Sequence, residues 1–239
     1  VKGAMVYPVA VLVISMAVVG LLLVKVIPVF AEMFAGLGGE LPGPTAFLVG
    51  ASEFAQGYWW LILGIIGLIY FAFNRFYKTE KGKWTMDGLL LKLPLFGPLL
   101  KKVAVAKFSR TLATMLSSGV PILEGLSIVS KTSGNVVVED ALMKTRQSIS
   151  EGESIAGPLD SSGIFPPMVV QMISVGEATG ALDAMLSKIA DFYDDEVDAT
   201  VDAMMTLMEP LMIVFLGGIV GGMIIAMYLP IFKIASVVG

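Results

Sequence analysis

Three apolar runs dominate the pattern of the chain, and each reads as a bilayer-crossing helix. Val6 to Ile27 holds 22 residues with one charge, Lys25; Tyr58 to Phe73 holds 16 uncharged residues; Pro210 to Phe232 holds 23. At the helical rise they extend roughly 33, 24 and 35 Å, against a hydrocarbon core of about 30 Å. The second run is short, so it must borrow flanking residues or thin the bilayer. Trp59 and Trp60 at its start suit an interfacial aromatic belt.

Between Leu89 and Glu209 the apolar spacing is helical throughout. Val105, Phe108, Leu112, Met115 and Leu116 recur at three- and four-residue steps and stop at Gly119. Pro121 opens a second helix, and Asn135 caps a third that ends at Gly152. A loop with Pro158 and Ser161-Ser162-Gly163 follows, then a helix from Pro166-Pro167 to the turn Gly176–Gly180. The last helix carries Leu182, Met185, Leu186, Ile189, Phe192, Tyr193, Thr200 and Met204 on one face. It is expected to run into the third span, with Pro210 as a kink that a membrane helix tolerates. Nothing alternates as a strand would, so the fold class is all-α: three transmembrane helices and a cytoplasmic antiparallel helical bundle.

The first and third spans share punctuation. Pro8 and Pro28 bracket one, Pro210 and Pro230 the other, each pair 20 residues apart, and Val26–Phe30 aligns with Tyr228–Phe232 at an offset of 202. Apolar helices resemble one another by default, so chance stays open. A true repeat implies a twin of the bundle upstream of Val1.

Composition agrees with the spans: 56% hydrophobic and only 15% charged residues, with a mean hydropathy of +0.85. Soluble domains carry about 25% charged residues. The net charge of −4 leaves no global basic surface for nucleic acid. With no Cys and no His, the chain has no disulfide, thiol nucleophile, Cys/His zinc site or Ser-His-Asp triad. Carboxylate and lysine chemistry survive that cut.

Orientation follows from the distribution of Lys and Arg. Residues 29–57 hold neither, but carry Glu32, Glu40 and Glu53. Residues 74–110 hold nine: Arg75, Lys78, Lys81, Lys83, Lys92, Lys101, Lys102, Lys107 and Arg110. The expected organisation is a first transmembrane helix over 1–28, an extracytoplasmic loop over 29–57 and a second transmembrane helix over 58–73. A cytoplasmic bundle over 74–209, a third transmembrane helix over 210–232 and an extracytoplasmic tail over 233–239 complete it. Lys25 then lies near the outer end of its helix, where it snorkels to the interface.

Four groups of residues are candidates for contact. Arg75, Lys78, Lys81, Lys83, Lys101 and Lys102 suit lipid headgroups or a cytoplasmic partner. Asp191, Asp195, Asp198 and Asp202 form a carboxylate stripe. It reads as a solvated face, a docking ridge for basic partners, or a weak metal site without a loop to wrap the ion. Glu196 projects onto the apolar face, where a carboxylate needs a cationic partner from the basic segment. Gly217, Gly218, Gly221 and Gly222 form two overlapping GxxxG patterns, which suit close helix contact within or between chains. There is no P-loop spacing and no intramembrane aspartate, and no group reads as catalytic, cofactor-binding or metal-holding.

Several ordered motifs carry a resemblance. They are Tyr7-Pro8 with Pro28; Leu93-Pro94-Leu95-Phe96-Gly97-Pro98; Phe108-Ser109-Arg110-Thr111-Leu112; Ser118-Gly119-Val120-Pro121; Phe165-Pro166-Pro167; Val175 to Leu182; and Glu209-Pro210-Leu211. Across essentially its whole length the chain resembles the inner-membrane platform proteins of type IV pilus and type II secretion machines, the PilC/GspF family. The wording around Asp191–Tyr193 and Ala226–Pro230 lies nearer the pilus branch. The resemblance implies a non-enzymatic, multi-pass protein of the bacterial inner membrane, with two homologous cytoplasmic domains, the first of which would lie upstream here. It further implies engagement of a cytoplasmic hexameric ATPase, of pilin subunits and of other inner-membrane assembly proteins. The secretion-branch platform is the alternative. A transporter or channel subunit is a remoter one, since it would need polar residues along the spans and the third offers only glycines.

Overall fold

The computed structural model describes residues 3, 6–35, 41–94 and 96–238, all of them helical or connecting, with no strand among them. Glu40 and Leu95, named above, lie outside the described residues. Helix α1 (Val6–Leu21) passes through a π-helical turn (Leu22–Val26) into α2 (Ile27–Ala35). There follow α3 (Gly43–Gly57), α4 (Trp59–Tyr77), α5 (Glu80–Leu90), α6 (Phe96–Ser117), α7 (Ile122–Thr132), α8 (Val136–Ser150), α9 (Ala156–Ser161), α10 (Pro167–Thr179) and α11 (Leu182–Val238). Three helices are long and apolar enough to cross a membrane: Val6–Phe34, Trp59–Tyr77 and the one that begins at Leu182. This is a multi-pass membrane protein. The chain divides into two compact units, residues 1–73 with 205–239, and residues 74–204.

Four boundaries differ from the pattern-based expectation. The stretch read as an extracytoplasmic loop over 29–57 is largely helix, with α2 continuing the first span and α3 occupying Gly43–Gly57. Its prolines mislead: Pro42 and Pro44 stand at the opening of α3, where a missing N–H costs nothing. The second span reaches Tyr77 and so gains length at its polar end. The residues read as a tail over 233–239 continue α11 through Val238. The loop around Pro158 contains the short helix α9, and Glu80–Leu90, read only for its charge, forms α5 on the Thr79 cap.

In the first unit, Val19, Ile27 and Met223 are buried, with Leu22, Leu23, Leu48, Val49, Ile219, Val220 and Met227 packed around them. Helix α3 therefore lies against both the first span and the latter part of α11. Two of its hydroxyls reach backbone carbonyls: Thr45 Oγ1 donates to Ala226 O at 2.5 Å and Ser52 Oγ to Leu23 O at 2.5 Å.

The second unit has the larger core, centred on Phe108, Leu112, Leu126, Leu142, Leu159, Ile173, Leu186 and Ile189. Phe108 and Phe165, from two of the motifs, meet edge to face with centroids 5.1 Å apart. Phe192, placed by its spacing on the apolar face, is instead 47% exposed, and its ring edge meets Tyr193. Asn135 Oδ1 caps α8 by accepting from Val137 N and Val138 N. Buried Asp87 supports the same end: its carboxylate accepts from Val136 N at 2.8 Å and from Tyr77 Oη at 2.9 Å.

The Gly176–Gly180 motif is a helix-to-helix turn with three separate jobs. Gly180, at φ 69°, ends α10 in the left-handed region, and Ala181 N donates back to Gly176 O. A Cβ on Gly176 would stand 3.0 Å from Leu182 Cα and 3.1 Å from Met185 Cβ. The Glu177 carboxylate accepts the N–H of Ile155, with both oxygens at 3.1 Å, just before α9. Within α6 there is one oddity. Ser109 Oγ is buried without a hydrogen-bond partner among the described residues. The two sites predict opposite signs: Gly176→Val lowers stability by about 1–3 kcal/mol through overpacking, whereas Ser109→Ala raises it by about 1 kcal/mol. Thermal unfolding of the detergent-solubilised chain checks both.

Candidate functional site

Helix α6 carries the cations that meet α11 within the second unit. Lys102 Nζ lies 2.7 Å from Glu196 Oε2 and donates to Thr200 Oγ1 at 2.9 Å. Eight residues on, Arg110 Nη2 contacts Asp191 Oδ1 at 2.6 Å and Asp194 Oδ2 at 2.7 Å. As residue number rises along α6 the partners fall along α11, so the two helices run antiparallel there. The hydrogen bonds to Asp194 and Asp191 raise the Arg110 pKa above its ordinary value, holding the guanidinium charged.

These pairs redistribute the expected contact residues. Glu196 has the lysine partner its position calls for, but its side chain is 41% exposed. It lies on the shoulder of the apolar face, where a carboxylate keeps part of its water. Lys102 is accordingly engaged inside the bundle, unlike Arg75, Lys78 and Lys81, which are exposed; Lys83 and Lys101 are half-buried. These cations are spread over the end of α4, α5 and α6, so they form no single cluster by sequence position.

The acidic stripe is likewise divided. Asp191 pairs with Arg110, joined by Asp194, which sequence spacing had not singled out, and all four residues of the stripe are exposed. Among the described residues no group of Asp and Glu is arranged to hold a metal ion.

The four glycines of the third span make no tight contact inside this chain. A Cβ built on Gly217, Gly218, Gly221 or Gly222 would meet nothing within 4 Å. Among the described residues, then, no other part of the chain packs closely on these glycines. Gly222 borders an apolar groove of about 640 Å³ in the membrane unit, which Val19, Leu23, Phe47, Leu48 and Met223 also line.

One feature of the second unit had no clear sequence signal. A groove of about 860 Å³ runs between α8 and α9, bordered by Asp140, Lys144, Ser148, Glu153, Ser154 and Ser161. Lys144 Nζ and Asp140 Oδ2 pair across one helical turn at 2.8 Å. Its polar residues come from two helices and the connection between them, and no spacing along the chain announces such a meeting.

Residues 108–230 match the family model described as Type II secretion system (T2SS), protein F. The chain belongs to the type II secretion system protein F family. The matched region opens at Phe108, the core aromatic, and closes at Pro230 in α11, so it spans Arg110, Asp191 and Asp194. Over its whole length the chain is 53% identical to a protein of Myxococcus xanthus named type IV pilus assembly protein PilC, covering 57% of that protein. Likewise it is 43% identical to the protein of that name from Pseudomonas aeruginosa, covering 64% of it. A type II secretion system protein F of Aeromonas hydrophila is 35% identical over 81% of this chain and 50% of its own. The chain thus spans less than two thirds of the length of each of these relatives.

The α6–α11 contact gives this family member a measurable pairwise term. A double-mutant cycle with Lys102→Met and Glu196→Leu is expected to give a coupling of about 0.2–1 kcal/mol, as half-exposed ion pairs do. The Arg110 pairs lie at the solvent-exposed surface, so their contribution weakens with added salt. A coupling of zero at low salt would mean that the Lys102–Glu196 contact does not hold the helices together.

Proposed function

We propose that this chain is part of the inner-membrane platform of a type IV pilus machine, coupling a cytoplasmic hexameric ATPase to the insertion or removal of pilin subunits. The observation that carries this reading is the 53% identity, over the full chain, to a protein named for type IV pilus assembly, against 35% for relatives named for type II secretion. The platform of a secretion system is the second reading. It is favoured only by the family model, whose description names that system.

In this proposal the protein acts without catalysis. What supports it is that the relatives are named for pilus assembly and their names carry no catalytic activity. The basic residues Arg75, Lys78, Lys81, Lys83 and Lys101 are positioned for headgroups or for an ATPase surface. Asp191, Asp195, Asp198 and Asp202 are offered as a docking ridge for a basic partner. Gly217, Gly218, Gly221 and Gly222 are offered as the face on which a second copy packs, because their open surroundings permit close backbone approach.

Orientation is proposed from the charge distribution, with residues 74–209 in the cytoplasm and residues 29–57 outside. Because the chain has no native Cys, single cysteines report cleanly. A membrane-impermeant maleimide is expected to label Glu53→Cys on intact spheroplasts, and Lys81→Cys only after permeabilisation. The reverse pattern would invert the proposed topology.

The function itself is tested by mild detergent co-purification of the full-length protein from its native cells, followed by mass spectrometry. A major pilin together with a pilus-type ATPase is the expected company. Pseudopilins with secretion components would transfer the proposal to the sister machine, and recovery of a bound soluble substrate instead would overturn it.

A further inference from the structure

Prolines 28 and 230, the pair aligned by the repeat in the spans, each deprive a carbonyl of its donor, and one helix supplies both replacements. In the π-helical turn the N–H of Ile27 serves Leu22 O, five residues back. The carbonyl that follows, Leu23 O, falls where the π-turn hands over to α2, and Pro28, the residue next in line to serve it, has no N–H to give. Ser52 Oγ donates to Leu23 O instead. In α11 the carbonyl of Ala226 would take the N–H of residue 230, again a proline, and Thr45 Oγ1 donates to it.

The donors are buried, at 5% exposure for Thr45 and 2% for Ser52. They are seven residues apart on α3, two turns on one face and roughly 10 Å along the axis. Gln56 Nε2 donates to Ser52 Oγ at 3.1 Å, which leaves the Ser52 proton for Leu23. The surroundings are apolar side chains, where a bare carbonyl finds no other partner.

We propose that Thr45 and Ser52 form a two-point latch by which α3 clasps the first span and the latter part of α11, each hydroxyl standing in for the N–H that a proline removed. While latched, α3, the π-helical turn and the end of α11 move as one body. Lifting α3 leaves two carbonyls bare in an apolar setting, so the latch holds the closed arrangement, and anything that prises α3 away must replace both bonds. The prolines are then the reason the latch exists: they create two acceptors that only an added helix can satisfy.

The proposal makes a pairing rule that ordinary packing does not. The test uses the intact chain in lipid nanodiscs with Met223→Cys as the sole thiol, since Met223 is buried in the cluster beside α3. The readout is its rate of labelling by N-ethylmaleimide. Thr45→Val, which keeps the volume and removes the donor, is expected to speed labelling about five- to tenfold, as loss of one buried hydrogen bond does. Ser52→Ala is expected to do the same, and Thr45→Ser to leave the rate as it was.

Restoring the missing N–H must then rescue each variant selectively. In a Pro230→Ala background Thr45→Val is expected to change the rate less than twofold, because residue 230 now serves Ala226 O. Pro28→Ala is expected to rescue Ser52→Ala and not Thr45→Val. Equal effects of Thr45→Val with and without Pro230 would overturn the latch and leave Thr45 a packing residue. Unchanged labelling in the Thr45→Val/Ser52→Ala double variant would overturn it as well.

Discussion

Inside a bilayer no water is available to a peptide group, so every backbone N–H and C=O must find its partner in the protein. That constraint explains why the chain is helical throughout its spans, and it turns each proline there into a liability that something else has to meet. Pro8 escapes because it lies in the first turn of α1, where the N–H would have no helical acceptor. Pro28 and Pro230 lie deep within helix, and their orphaned carbonyls meet hydroxyls of α3. The arrangement of the first unit, with α3 against two spans, rests on this requirement as much as on its small apolar cluster.

The second unit answers a different problem, that of a bundle whose connections must stop and start helices within a few residues. Asp87, Asn135, Glu177, Gly176 and Gly180 do this work together. Three of the motifs that carry the family resemblance, those holding Phe108, Phe165 and Gly176–Gly180, resolve into helix caps and core contacts. A motif can therefore mark a family without marking a site, because caps and close approaches restrict residue type as sharply as chemistry does. Asp195, Asp198 and Lys81, which face outward, belong to none of the motifs.

Much of the fold was legible from local signals. Helical spacing, the Asn135 cap, Pro121 and the Gly176–Gly180 turn each depend on residues within a few positions, and the structure has helix ends at all of them. What stayed hidden depends on partners far along the chain. Helix α3 was hidden because Pro42, Gly43 and Pro44 look like a loop, and because its stabilising contacts, Thr45 with Ala226 and Ser52 with Leu23, span 181 and 29 residues. The candidate site divides the same way. Glu196 announced its need of a cation by standing on the shoulder of an apolar face, whereas Asp194 as a second acceptor for Arg110 follows only from how α6 meets α11. Spacing put the glycines of the third span on one surface but could not say that this surface would be left open within the chain.

Open surface and clasped helix bear on each other in the first unit. Gly222 and Ala226 are one turn apart on α11, and both border the apolar groove between α3 and α11. Ala226 is also the residue whose carbonyl Thr45 holds. The groove therefore has one wall fixed by a hydrogen bond that a proline made necessary, while Ile219, Gly222 and Met223 of α11 complete its lining. Packing alone would leave the width of such a groove to the balance of weak dispersion contacts. A directional bond to a fixed backbone atom sets it more narrowly. A membrane groove of defined width, rather than a soft one, then follows from the placement of two prolines and two hydroxyls.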